Sequence, residues 1–195
     1  MDKDNKIKNL VSFFFEAGTL RKTLRSHRQT LLTDDLSDNI ASHSFRVTLI
    51  GWFLATSEKV DPYKVVMMCL LHDLEESRTG DQNWIHKKYI KCFEEEVREG
   101  QLKPLPNSKE LLSLSKEYQD RKTLAAKVAK DADLLDQIFI LKEYAHQGNK
   151  EAQLWLDHKE QEKLMFTKTA KKLARESYRQ SPSEWWNNNW TNKRR

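Results

Sequence analysis

The apolar run Val65-Val66-Met67-Met68-Cys69-Leu70-Leu71 ends in His72-Asp73-Leu74-Glu75-Glu76. A segment that has just buried Met67, Met68, Leu70 and Leu71 cannot close its apolar face with an imidazole and several carboxylates unless they are compensated, because burying an unpaired polar or charged group is costly. Whatever the chain folds into must bring compensating groups to the end of this run. Adjacent helical residues project about 100° apart, so His72 and Asp73 can reach one ion only if other elements supply further ligands. Two stretches offer them. His43 sits in Asn39-Ile40-Ala41-Ser42-His43-Ser44-Phe45-Arg46-Val47, the start of another amphipathic helix. Asp133 sits in Ala129-Lys130-Asp131-Ala132-Asp133-Leu134-Leu135-Asp136, where an apolar helix face again carries acids.

Turn signals are sparse, with five glycines and four prolines in 195 residues, and long alternations of Val, Ile and Thr are missing. Nearly all the periodicity is helical, so the chain reads as all-α. A hydrophobic content of 38% suffices for one core beneath a surface rich in charge, and a single helical bundle is expected over residues 1–180. From Ser181 to Arg195 the composition changes abruptly, with Trp185, Trp186, Trp190 and a basic Lys193-Arg194-Arg195 end. Packing of this tail onto its own domain or a partner subunit is the expectation, and stacking on a base or single strand the alternative.

In chain order, the spacing predicts a first helix through Ala17 with Gly18 as its C-cap. A second is expected from Thr19 to Leu32, carrying Arg21, Lys22, Arg25, His27 and Arg28, and a third from Ser37 to Glu58. Asp61-Pro62 opens a fourth, which delivers His72, Asp73 and Glu76, and a fifth runs from Trp84 to Arg98. Glu99 to Asn107 reads as a linker. Ser108 then caps a short helix to Tyr118, a long one runs from Lys122 to Gly148, another follows Asn149, and the last spans Glu160 to Tyr178. Aromatic side chains before position 180 are expected mostly in the core. Glu75 and Lys87-Lys88 read as solvated charges, and His86, His146 and His158 as structural or exposed.

The net charge of +5 permits attraction to anionic ligands, but 34 basic and 29 acidic residues are spread along the chain and do not by themselves imply nucleic acid. Cys69 and Cys92 make no disulfide framework, and the absence of a CxxC pair argues against structural zinc. The start of the chain lacks the apolar run of a signal peptide, and no stretch approaches the roughly 20 apolar residues of a membrane span. A cytoplasmic protein without a membrane segment is expected.

The succession His43, His72-Asp73 and Asp133 resembles the HD-domain metal-dependent phosphohydrolases, whose signature H…HD…D is spread over four helices. Ser42 to Val47 and His72-Asp73-Leu74-Glu75-Glu76-Ser77-Arg78-Thr79-Gly80-Asp81 resemble more closely the YfbR-like 5'-deoxyribonucleotidase subgroup, in which the second block reads roughly HD-x-x-E-x-x-TGD. The likeness spans residues 7–175. It implies one divalent metal ion on His43, His72, Asp73 and Asp133, catalysis by Glu76, and a role for Asp81 in holding the sugar hydroxyl or the attacking water. It also implies a homodimer that removes phosphate from (deoxy)nucleoside 5'-monophosphates. The family's phosphate-contacting Arg matches Arg28 by counting back from His43, or Arg25 if one loop residue is added. Its neighbouring Trp is absent under either alignment, which leaves sugar selectivity open.

Two imidazoles and two carboxylates suit a divalent first-row metal and leave positions for water and a phosphate oxygen. Mn²⁺, Co²⁺, Zn²⁺, Fe²⁺, Ni²⁺ or Mg²⁺ could fit, with imidazole disfavouring Mg²⁺ as the tightest binder. Glu76, one helical turn beyond His72, would share its face and could orient or deprotonate the water or protonate the leaving oxygen. One alternative is an HD-type triphosphohydrolase or pyrophosphohydrolase that uses Arg21, Lys22, Arg25 and Arg28 for a longer phosphate chain. Another is a nucleic-acid-binding or regulatory protein on the HD scaffold, against which the intact ligand set argues.

Overall fold

The computed structural model describes residues 3–190, and among them there is no strand. Helix α1 (Lys3–Ala17) runs into a 3-10 turn, Gly18–Lys22, and there the expected second helix fails. Thr23 is extended. The Arg25 N–H donates to the Asp38 carbonyl at 3.1 Å, and the Ile40 N–H donates to the Thr23 carbonyl at 2.9 Å. Backbone groups spent across to the start of the next helix cannot serve a continuous Thr19–Leu32 helix, and only α2 (Arg28–Leu31) remains.

Helix α3 (Ile40–Glu58) starts later than Ser37, because Asn39 is the residue whose side chain accepts the Ser42 N–H. Helix α4 (Pro62–Leu71) opens as expected, with Asp61 accepting from Tyr63 and Lys64. It does not reach Glu76. His72 is its C-cap, turns fill Asp73 to Glu75, and α5 (Glu76–Thr79) is a separate short turn. Bonds of the i to i+3 type cause this break, from the Leu74 N–H to the Leu71 carbonyl at 3.3 Å and from the Glu76 N–H to the Asp73 carbonyl at 3.2 Å.

The predicted fifth helix is likewise two, α6 (His86–Tyr89) and α7 (Glu94–Leu102), separated at an extended Ile90. Helix α7 also occupies half of the expected linker. Leu102 and Leu105 are buried at 1% and 8% exposure, so that stretch is core rather than connector. Helix α8 (Ser108–Asp120) lies where expected, but Ser108 is its first residue and not its cap: Asn107, in the left-handed region and without a side-chain cap bond, holds that place. Helices α9 (Leu124–His146) and α10 (Lys150–His158) follow the expected pattern, capped by Thr123 and Asn149. The last predicted helix splits into α11 (Glu160–Leu164) and α12 (Lys168–Arg179). Asp131 is the reason: it accepts the backbone N–H groups of Phe166 and Thr167, each at 2.8 Å, and pins the chain between the two helices. Helix α13 (Glu184–Asn189) carries Trp185 and Trp186. Trp185, Arg46, Ile50 and Phe139 line a common cavity of about 450 Å³, while Trp185, Trp186 and Trp190 each remain more than half exposed. The basic end of the tail, Lys193-Arg194-Arg195, lies outside the described residues.

Helices α3, α4 and α9 pack against one another at the centre, and α8, α10, α11 and α12 surround α9. Helix α9 is buried nearly all round, from Ala125 through Val128, Ala132, Leu135 and Ile138 to Tyr144, as the central member must be. One apolar cluster joins Val47, Leu54, Met68, Cys69, Ala132 and Leu135, and a second joins Leu20, Ile40, Leu71, Leu74, Leu102 and Leu105. His43 lies between Ile40 and Val47 along α3, and His72 follows Leu71 at the end of α4, so both imidazoles sit at the seam of the two clusters.

The α3 face that buries Ile40, His43, Val47, Gly51 and Leu54 turns Phe45 and Phe53 outward, at 68% and 67% exposure. With Phe14, Phe15, Trp84 and Tyr89 also exposed, many of the aromatics expected in the core are surface residues. At Gly51 helices α3 and α4 approach closely, since a Cβ there would lie 2.7 Å from Cys69 Sγ and 3.2 Å from Val65 Cγ1. Gly51→Val should therefore overpack the centre and cost about 2 kcal/mol, read as a lower urea midpoint at unchanged m-value.

Candidate metal centre

Helix α4 ends where the His72 Nδ1–H donates to the Cys69 carbonyl at 2.7 Å, which occupies an acceptor of the helix's last turn and fixes the ring. Helix α3 presents His43, whose Nδ1 is 2.6 Å from Asp136 Oδ2 on α9. A carbonyl and a carboxylate only accept, so both Nδ1 atoms carry the protons. The two Nε2 atoms then face each other at 3.1 Å. Around them, Asp73 Oδ2 is 3.1 Å from His72 Nε2 and 3.4 Å from His43 Nε2. Asp133 Oδ1 is 3.3 Å from His43 Nε2 and 4.0 Å from His72 Nε2.

In neutral rings this arrangement turns two nitrogen lone pairs and two carboxylate oxygens on one another, which is stable only with a positive charge among them. A proton can supply it: although burial and Arg25 oppose protonation, bonds to Asp133, Asp136 and Asp73 push His43 up to about 10. A divalent cation meets the same need with the donor types that first-row metals prefer. The candidate ligand atoms of His43, His72 and Asp73 all lie within 4.8 Å of one another, so the residues present fit such an ion.

The surroundings are strongly polar for a buried place. Burial works against ionisation of Asp73, yet His72 and His43 hold its carboxyl far below the ordinary range. Asp133 is likewise lowered against burial, mainly by Lys130, whose Nζ is 2.6 Å from Asp133 Oδ2. Glu76 behaves oppositely: burial, Asp73 and Asp81 push it up to about 10. The break between α4 and α5 thus leaves Glu76 beside Asp73 and Asp81 although it no longer shares a continuous helix face with His72. Asp81 follows Gly80, whose φ of +69° favours glycine and caps α5. Its Oδ2 accepts the Ser26 N–H at 2.7 Å and lies 3.6 Å from Arg25 Nε.

Of the two candidate arginines, the structure brings Arg25 to the cluster. Its enclosed guanidinium feels Asp73, Asp81, Asp133 and Asp136, which together raise its pKa against burial, and Nε and Nη1 have no hydrogen-bond partner among the described residues. Arg28 instead donates to the Thr33 carbonyl at 3.3 Å and lies 3.9 Å from Asp34. Glu75 is not a solvated charge. It is 5% exposed and accepts from Arg98 at 2.9 Å, because the tight turn after His72 rotates it inward toward α7.

Sequence reasoning passed over Asp136 and Arg46. Arg46 donates to Asp136 through Nε and to Glu143 Oε1 at 2.6 Å. The signal was spacing: Arg46 follows His43, and Asp136 follows Asp133, by three residues on a helix, hence on the same face one turn along. The His27–Asp38 pair, 2.6 Å apart with Tyr144 3.2 Å from the same carboxylate oxygen, was missed too and holds the Arg25 segment against α9.

An all-α bundle organised about a buried histidine–aspartate cluster fit to hold a cation defines the class. The chain belongs to the HD domain family, whose model matches residues 17–176. It is 30% identical over 152 residues to "5'-deoxynucleotidase HDDC2" of Dictyostelium discoideum, covering 71% of this chain and 79% of that protein. Among solved structures, a conserved hypothetical protein from Pyrococcus furiosus aligns with TM-score 0.71 and 26% identity over 87% of this chain and 99% of that one. A predicted metal-dependent phosphohydrolase from Magnetospirillum magnetotacticum aligns with TM-score 0.62 and 25% identity over 90% and 96%. Among the described residues, no helix is long and apolar enough to cross a membrane.

Proposed function

We propose that this chain is a metal-dependent phosphomonoesterase that releases phosphate from nucleoside 5'-monophosphates, deoxyribonucleotides foremost. The observation that carries the reading is the pair of imidazoles whose Nδ1 atoms are committed elsewhere and whose Nε2 atoms, 3.1 Å apart, face each other beside Asp73 and Asp133. The similarity to a 5'-deoxynucleotidase supports the substrate class. His43, His72, Asp73 and Asp133 would hold one divalent ion, from among Mn²⁺, Co²⁺, Zn²⁺, Fe²⁺, Ni²⁺ and Mg²⁺. Such an ion supplies Lewis acidity toward a phosphoryl oxygen and makes water a better nucleophile.

The protein's own groups do the rest. Arg25, enclosed beside Asp81, attracts and orients the phosphate, a task for which Arg28, occupied by Thr33 and Asp34, is the weaker candidate. Asp81, steadied by the Ser26 N–H, accepts from a sugar hydroxyl or positions the attacking water. Glu76, a carboxyl that burial and neighbouring acids keep protonated, is suited to exchange a proton with that water or the leaving oxygen. A homodimer in a reducing cytoplasm belongs to the same proposal. Phe45, Leu49 and Phe53 form an exposed stripe along α3 that a second copy would cover, and both cysteines are free.

The test is phosphate release from a panel of nucleoside mono- and triphosphates, each with several divalent metals. Inorganic phosphate from the monophosphates is expected. Pyrophosphate or tripolyphosphate from the triphosphates would replace this reading by the triphosphate-cleaving one. No hydrolysis with any metal, beside steeply salt-dependent oligonucleotide binding, would favour the regulatory alternative.

A further inference from the structure

Asp133 divides its carboxylate. Oδ1 faces the cluster, 3.3 Å from His43 Nε2, while Oδ2 is 2.6 Å from the Nζ of Lys130, one turn earlier on α9. An isolated i to i+3 ion pair contributes little on a surface. This one is only partly open to solvent, with side chains 22% and 16% exposed, and its acid is one of the groups gathered around the imidazoles.

The other cations near the site have different duties. Arg46 is occupied by Asp136 and Glu143, Arg98 by Glu75, and Arg25 sits beside Asp81. Without Lys130, nothing among the described contacts would hold Oδ2 away from a bound ion, and an aspartate that closes on a cation with both oxygens fills a position that substrate or water needs.

We propose that Lys130 is a positioning residue of this site: by holding Oδ2 it presents Asp133 to a bound cation through Oδ1 alone and keeps a coordination position open. The inference rests on the cluster's being a metal site, and it concerns how many positions the protein fills rather than which substrate arrives.

Co²⁺ is the probe, because its visible absorption weakens as coordination number rises. Co²⁺ is titrated into chelator-treated wild type, Lys130→Met and Lys130→Arg, with kcat and KM measured on a nucleoside monophosphate. In Lys130→Met the freed carboxylate should close on the ion, so Co²⁺ stays bound with a weaker visible band while kcat falls about tenfold or more and KM moves less. Lys130→Arg, which can still grip Oδ2, should restore the band and part of the turnover. A Lys130→Met protein with the wild-type band, or with a changed band and wild-type kcat, overturns the proposal. A wild type that binds Co²⁺ but hydrolyses no phosphomonoester overturns the function proposed above, while the band comparison still decides the part of Lys130. A wild type that binds no Co²⁺ overturns both.

Discussion

Glu76→Gln is expected to lower turnover by about 10²–10⁴-fold, the usual cost of losing a positioned acid or base, while bound metal stays at the wild-type level. Asp73→Ala should lose metal and activity together. The contrast follows from where the two carboxyls stand. Asp73 Oδ2 lies 3.1 and 3.4 Å from the two Nε2 atoms and is held ionised by the histidines. Glu76 is held protonated by burial and by Asp73 and Asp81, and its Oε2 has no hydrogen-bond partner among the described residues. A group in that condition adds little to metal affinity and is available for proton transfer. Glutamine keeps the shape and removes the proton exchange, so metal analysis beside steady-state kinetics separates the roles. Full activity in Glu76→Gln would remove Glu76 from the chemistry, and retained metal in Asp73→Ala would remove Asp73 from the ligand set.

What was legible in the sequence, and what was not, divides along one physical line. Caps and periodicity are local, so Asp61-Pro62 and Asn149 mark helix starts where they stand. That His43 and an acid of the Asp131 to Asp136 stretch would meet His72 and Asp73 was legible because buried polar groups at the ends of apolar runs need partners; the choice of Asp133 among those acids came from the family resemblance. Breaks imposed from a distance were not. Nothing local to Thr19–Leu32 says that Thr23 and Arg25 will bond to the chain around Ile40 and Asp38. Nothing local to Phe166 says that Asp131, 35 residues earlier, will take its N–H. Glu75 illustrates the same limit: a continuous helix predicts it outward, and the tight turn after His72 brings it to Arg98. The clustered residues were therefore readable, whereas those that hold them in place, Asp136 foremost, became visible only through contacts between helices.

Asp136→Ala should show how much the cluster depends on that support. Asp136 fixes the His43 tautomer through Nδ1 and also accepts from Arg46, and its side chain is 5% exposed. Removing it leaves the His43 Nδ1–H without its acceptor inside the bundle and leaves Arg46 with Glu143 alone. Breaking such a buried pair costs about 3 kcal/mol or more, while loss of the group that orients a metal-ligating histidine weakens metal binding about 10–100-fold. Weaker metal binding also removes part of the stabilisation that a bound ion confers on the native state, so the stability loss should be larger with metal than without it. Asp136→Asn separates the contributions: the amide oxygen can still accept from Nδ1 but cannot balance the Arg46 charge, so metal affinity should recover further than stability. Urea unfolding with and without Co²⁺, together with Co²⁺ titration of both variants, measures each quantity. Wild-type affinity in Asp136→Ala would mean that packing around the imidazole alone sets the orientation of His43.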